Sequence, residues 1–171
     1  MSINRHHLKQ NYGFHCACAC CALTHEESKV SDTRLTTMSG LYKRLSMWGQ
    51  GEIDGREAIR VVKRIWAIGE KEGYTSGRGR LAADAVLVAA AHSEYVPPSG
   101  LIGDVANHVY SAEAIIEWAR LALQWVSYEL GSDSDLAEEM RTVIRGPKKY
   151  PIWGQRSIVT VEKPLTWMFG A

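Results

Sequence analysis

Phenylalanine is nearly missing from this chain, which has two against six tryptophans and seven tyrosines in 171 residues. Tryptophan and tyrosine pair an apolar body with one polar atom. They favour half-buried positions, interfaces and pocket walls over a plain core. Cysteine is absent outside one short stretch, which excludes a disulfide framework spread along the chain. No run approaches the roughly 18–20 apolar residues of a membrane span, so none is expected. Neither sign of charge dominates, with 20 Lys and Arg against 19 Asp and Glu. The basic footprint of a nucleic-acid binder is therefore lacking, and no nucleic-acid partner is expected. Residues 1–10 are polar and include His6 and His7, unlike a secretory leader. The expected compartment is intracellular, cytoplasmic or nuclear, and reducing. The length suits one domain with a real apolar core.

What is present is concentrated. Cys16, Cys18, Cys20 and Cys21 fall within six residues. Clustered cysteines in a reducing compartment read as metal ligands before they read as disulfides. Neighbours this close also have poor geometry for pairing with each other. Cys16, Cys18 and Cys21 form a C-x-C-x-x-C hook suited to a structural zinc ion, the expected cofactor. A closed site needs a fourth ligand. His15, Cys20, His6, His7, His25 and a residue of a second subunit are the alternatives, the adjacent Cys20 being strained. Against zinc stands a metal-free relic with plain thiols.

After the hook the pattern is helical. Residues 31–48 place Leu35, Met38, Leu41, Tyr42 and Leu45 at helical spacing. Asp54 and Glu57 form an acidic variant of a capping box and open a second helix, with Ala58, Val61, Val62, Ile65 and Trp66 on one stripe. Residues 81–91 are apolar on every face except at Asp84, the mark of a buried helix. Residues 95–103 hold two prolines and two glycines and read as a loop. Ser111 caps a long helix to about Glu129. It has one apolar stripe through Ile115, Ile116, Ala119, Ala122, Leu123 and Val126, and a second through Trp118, Leu121 and Trp125. A helix with two such stripes is expected to pack on both sides. Gly131 and the cluster from Ser132 to Asp135 end it and open a short helix to Arg145. The tail from Ser157 to Glu162 is β-branched and reads as extended.

The hook and its flanks resemble a known family. Arg5, Leu8, Asn11, Tyr12, Gly13 and Phe14, followed by Cys16, Cys18 and Cys21, are similar to the end of a SET domain and its post-SET zinc hook. The likeness is to the SMYD-like SET proteins of fungi. Ser31 and Arg34, then Leu81, Asp84, Ala91 and His92, then Glu129, Gly131, Asp133, Ser134 and Met140 resemble that group's helical part. The glycine strand, pseudoknot and tyrosine through which such enzymes bind S-adenosylmethionine do not occur in the sequence. The resemblance therefore implies a truncated SET-family protein with a helical architecture. It does not imply a self-sufficient methyltransferase, and no S-adenosylmethionine is expected for this chain alone. In that family the fourth zinc thiolate comes from the pseudoknot, and Phe14 matches a residue near the cofactor adenine.

The expected fold is all-α: an array of TPR-like helix pairs with an N-terminal cysteine-rich zinc hook and an extended C-terminal tail. Three segments are expected, a hook at 1–27, a helical domain at 28–154 and a tail at 155–171 that packs on the domain or a partner. Asp84 and His92 are the candidate acid–base pair. Beside that stands the plainer reading of a buried carboxylate bonded to a neighbouring Tyr or Arg. Trp66, Trp118, Leu121 and Trp125 are the candidate pocket or interface, set against ordinary core. The first functional expectation is a binding or oligomerisation module with a protein partner or a second copy of itself. The alternative is a cofactor-independent cyclase or isomerase of secondary metabolism, holding a small apolar molecule. Half of a split lysine methyltransferase is the third.

Overall fold

The computed structural model describes residues 2–18, 22–93 and 110–156, with side chains from residue 7 onward. Among the described residues the regular structure is helical and contains no strand, as an all-α fold requires. The α-helices are α1 (Ser2–Tyr12), α2 (His25–Gln50), α3 (Gly55–Lys71), α4 (Arg78–Ala91), α5 (Ala112–Glu129) and α6 (Asp135–Arg145). A short 3-10 turn follows at Pro147–Lys149. The chain divides into two compact units, Met1–Gly40 and Leu41–Ala171.

In the first unit, α1 occupies a stretch whose periodicity does not announce a helix. Helix α2 begins at His25, six residues earlier than the apolar pattern suggests. A reciprocal capping box explains the early start. The Glu27 backbone N–H donates to Thr24 Oγ1 at 3.3 Å, and the Thr24 N–H donates to Glu27 Oε2 at 2.8 Å. Such a pair satisfies two of the amides that a helix start leaves without partners.

In the second unit the helices pack in chain order, α3 on α4, α4 on α5 and α5 on α6. Asp54, Ser111 and Ser134 cap α3, α5 and α6, each accepting an amide hydrogen bond from the residue three positions on. Helix α4 lies between its neighbours and is buried on nearly every side. Its alanines allow that, since a small side chain lets helices approach closely. The closest approach is at Gly79, where a Cβ would lie 2.6 Å from Val126 Cγ2 and 2.7 Å from Val126 N on α5. The start of α4 is closed by α5 as well. Glu129 Oε1 accepts from the backbone N–H of Arg78 at 2.9 Å and of Gly79 at 3.1 Å. A carboxylate at a helix N-terminus also meets the positive end of its dipole.

The segment after the 3-10 turn closes the opposite end of α4. Gly154 N–H donates to Ala90 O and Arg156 N–H to Ala91 O, both at 2.9 Å. These carbonyls belong to the last turn of α4, where the regular intrahelical donors run out, and Ala90 O also accepts from the Ser93 N–H at 3.2 Å. The Arg156 side chain does the same for α2, donating to the carbonyls of Trp48 and Gly49. The extended tail expected from Ser157 and the loop expected at residues 95–103 lie outside the described residues.

Candidate functional site

Helix α4 carries Arg80, Ala83, Asp84 and Leu87 at spacings of three, four and seven, which places them on one face. That face, with Leu136 and Glu139 of α6 and with Tyr150, Pro151 and Ile152, lines a cleft with a volume of about 300 Å³. The volume is at the small end of the range for ligand sites. The 3-10 turn sets Tyr150 in place, its N–H donating to Pro147 O at 3.1 Å. The tyrosine is buried, and its hydroxyl donates to Glu139 Oε1 at 2.5 Å.

The electrostatics follow from this packing. Asp84 is mostly enclosed, and its carboxyl is pushed up to about 6 because burial disfavours the charged form. Arg80 Nε sits 3.3 Å from Asp84 Oδ1 and pulls the value back only in part, its own side chain being 65% exposed. Tyr150 is held above the usual phenol range, first by burial and then by its bond to Glu139, with Asp84 adding to the effect. Tyr42 on α2 is also raised, by burial and then by the charge of Asp84. The cleft thus joins three acidic groups and one arginine to walls of leucine, isoleucine, alanine and proline.

His92 has a different environment. It caps the end of α4, two turns beyond Asp84, which is about 12 Å of helix rise. Its Nε2 accepts the indole N–H of Trp48 at 3.1 Å, and its ring stacks on Tyr110 with centroids 5.6 Å apart. The guanidinium of Arg156 lies 4.0 Å from the centroid of the Trp48 ring. Gly55 approaches so closely that a Cβ there would lie 2.4 Å from the imidazole. Burial and then Arg156 lower the imidazole to about 4, with Asp54 opposing them. Asp84 and His92 therefore serve separate neighbourhoods.

Of the tryptophans and Leu121, the fold brings together Trp66 and Trp125, with ring centroids 6.2 Å apart. Arg78 lies against both, 4.9 Å from the Trp66 ring and 4.8 Å from the Trp125 ring. Its Nε donates to Tyr74 O at 2.6 Å, and Trp66 donates to Glu70 Oε1 at 2.9 Å. Trp118 and Leu121 are half-buried on α5.

Of the cysteine hook, Cys16 is half-buried and Cys18 exposed, while Cys20, Cys21 and the His6 side chain lie outside the described residues. His7 bonds to Asn11 over 2.9 Å, and His15, His25 and Phe14 are exposed. Among the described residues no three Cys, His, Asp or Glu side chains gather in a metal-holding group. The thiolate chemistry suits zinc; the described residues supply no geometry for it.

Arg80, Glu139 and Tyr150 are the cleft residues that sequence reasoning missed. The available signal was weak: a tyrosine set between Pro147 and Pro151, a pattern that normally marks only a break. Comparison of the chain with family models, with curated proteins and with solved structures returned no match. No helix among the described residues is long and apolar enough to cross a membrane.

Proposed function

We propose that this chain is a helical binding module whose ligand enters the cleft between α4 and α6. The observation that carries the reading is the convergence of Asp84, Glu139 and Tyr150, from two helices and the segment behind them, on one concavity of about 300 Å³. Rigid helices hold such groups more exactly in place than loops do. The test is a titration of isotope-labelled protein with a set of small organic fragments. Shifts of the amide signals of Ala83, Asp84, Leu136 and Ile152 are expected. Fragments that shift other residues and leave these four unmoved reject the cleft as the ligand site.

A second reading is supported by the same geometry. A mostly buried carboxyl pushed up to about 6, beside the leucine and isoleucine side chains of the cleft, is suited to proton transfer. This favours a cofactor-independent enzyme of the cyclase or isomerase type, with Asp84 as its acid or base. Its test is turnover of a candidate small apolar substrate, with loss of the rate in Asp84→Asn.

The cysteine spacing supports a further part of the proposal. Cys16, Cys18 and Cys21 hold a structural zinc, in a SET-related chain whose helices stack as TPR-like pairs. Elemental analysis giving about one zinc per chain supports it, and metal-free folded protein rejects it. The exposed Tyr128 and Leu130, at 79% and 62%, support a protein partner or a second copy at the end of α5. Sedimentation of the purified chain reads that directly. Calorimetry with S-adenosylmethionine tests methyl transfer.

A further inference from the structure

We propose that the cleft between α4 and α6 takes an organic ammonium ion, a primary amine carried on a short apolar chain. The inference rests on the reading of that cleft as the ligand site, and adds the chemistry of its occupant.

The lining decides the sign of charge. Among the described residues its one cation, Arg80, already faces Asp84 at 3.3 Å. Tyr150 has its hydroxyl proton directed to Glu139 at 2.5 Å. Arg80 Nε and the Tyr150 hydroxyl are thus turned toward carboxylates of the cleft itself. What it offers an incoming molecule is acceptor oxygen on Asp84 and Glu139. An anion placed there meets the carboxylates of Asp84 and Glu139, which repel it. An ammonium carries three donors and no acceptor, which is the complement of these groups.

The lining also decides the body of the ligand. Leu87, Leu136 and Ile152 give it apolar walls, and burial of methylenes against them is favourable. A divalent metal fits less well. It requires several hard ligands, and among the described residues no group of three or more metal-ligating side chains gathers. An ammonium is satisfied by two carboxylate oxygens and a hydroxyl.

The groups that face Asp84 set the pH dependence. They are Arg80 on its own helix, Tyr42 on α2, Tyr150 beyond the 3-10 turn, and Glu139 on α6 through Tyr150. The two tyrosines, both raised, stay neutral between pH 5 and 8. Asp84, pushed up to about 6, changes charge in that window, and amine binding requires it ionised. Affinity therefore rises from pH 5 to pH 7.5.

The test uses three probes of one shape: butylamine, 1-butanol and butyrate, titrated into the full chain by calorimetry and amide shifts at pH 7.5 and pH 5. Butylamine is expected to bind about tenfold tighter than the other two, the worth of one charge-assisted hydrogen bond. It is expected to weaken several-fold at pH 5. Asp84→Asn is expected to lose about tenfold and its pH dependence. Arg80→Gln, which frees Asp84 of its internal cation, is expected to bind butylamine more tightly. Butanol or butyrate binding in the cleft as tightly as the amine overturns the ammonium assignment and leaves the cleft as a ligand site. Failure of all three probes to shift cleft residues overturns both. Unchanged butylamine affinity in both variants overturns the ammonium assignment as well.

Discussion

Trp48 donates its indole N–H to Nε2 of His92 over 3.1 Å. The acceptor nitrogen must lack a proton, so the fold selects the neutral imidazole with its hydrogen on Nδ1. Protonation of Nε2 removes the acceptor and sets a second cation near Arg156. Burial first, and the charge of Arg156 second, lower the imidazole to about 4. Asp84, two turns back on the same helix, is shifted the other way, up to about 6.

These two groups make opposite contributions to stability over nearly the same pH range. Unfolded, His92 takes its proton near its ordinary value of 6.5; folded, only near 4. Between those values the unfolded chain holds more protons, so stability rises with pH. Asp84 keeps its proton to about 6 when folded and releases it near 3.8 when unfolded. There the folded chain holds more protons, so stability falls as pH rises. Wild-type stability is expected to be nearly flat from pH 4 to 6. Asp84→Asn should unmask a rise toward pH 6.5, at most about 1.4 kcal/mol per pH unit. His92→Gln should unmask a fall over pH 4 to 6. Urea unfolding at closely spaced pH values measures both slopes, and equal slopes in the two variants would contradict the assignment.

Gly79 is where two helices meet backbone to backbone. A methyl group there would lie 2.7 Å from Val126 N, an atom that cannot turn aside as a side-chain tip can. Gly79→Ala should therefore destabilise the chain by about 1–3 kcal/mol despite the better helix propensity of alanine. Glycine 40, inside α2, has open space around its would-be Cβ. Gly40→Ala is expected to be stabilising by about 0.5–1 kcal/mol. Denaturant midpoints of the two variants check the contrast, and destabilisation of equal size in both would remove the packing argument.

Helix boundaries were legible wherever a cap was. Asp54, Ser111 and Ser134 each announce an N-terminus and each makes the expected side-chain bond. The start of α2 was legible in principle, since Thr24 and Glu27 have the capping-box spacing, but the apolar stripe begins only later and drew the boundary with it. Helix α1 is polar and gave no stripe. Asp84 stood out because it is the one charged residue in an apolar run. Its partners did not, because Glu139 lies on a different helix and Tyr150 in a break between prolines. A cleft made from three elements leaves no spacing in the sequence. The same holds for Arg78: Trp66 and Trp125 are conspicuous, but nothing in their positions shows that a guanidinium lies against both rings.

Arg78 is the occupant of that aromatic pair, and its planar cation suits the role in a way that lysine does not. Arg78→Lys keeps the charge but loses the flat contact with both rings and the geometry of the bond to Tyr74 O. It is expected to cost about 1–2 kcal/mol, nearly as much as Arg78→Ala. Tryptophan emission should shift in both variants, since Trp66 and Trp125 lose the same neighbour. Full rescue of stability by lysine would show that charge alone matters there.

Arg156 ties the end of the described chain to the ends of two helices. Its backbone amide closes α4 at Ala91, its guanidinium closes α2 at Trp48 and Gly49, and the same guanidinium lies on the Trp48 ring. Substitution by alanine keeps the backbone bond and removes the rest. A loss of about 1–3 kcal/mol is expected, because the buried Gly49 carbonyl loses its side-chain donor, the Trp48 carbonyl keeps only the Gly51 N–H, and a cation–π contact disappears. The loss should not be uniform. Tyr150 and Ile152, which wall the cleft, are held by the same segment, so hydrogen exchange should speed up at the amides of residues 150–156 before it does so along α5. His92 should respond as well, since Arg156 is one of the causes that lower it. In Arg156→Ala its imidazole should titrate higher than in the parent chain, by proton-detected NMR. An imidazole that does not move, together with exchange that rises evenly along every helix, would mean that Arg156 acts on global stability alone.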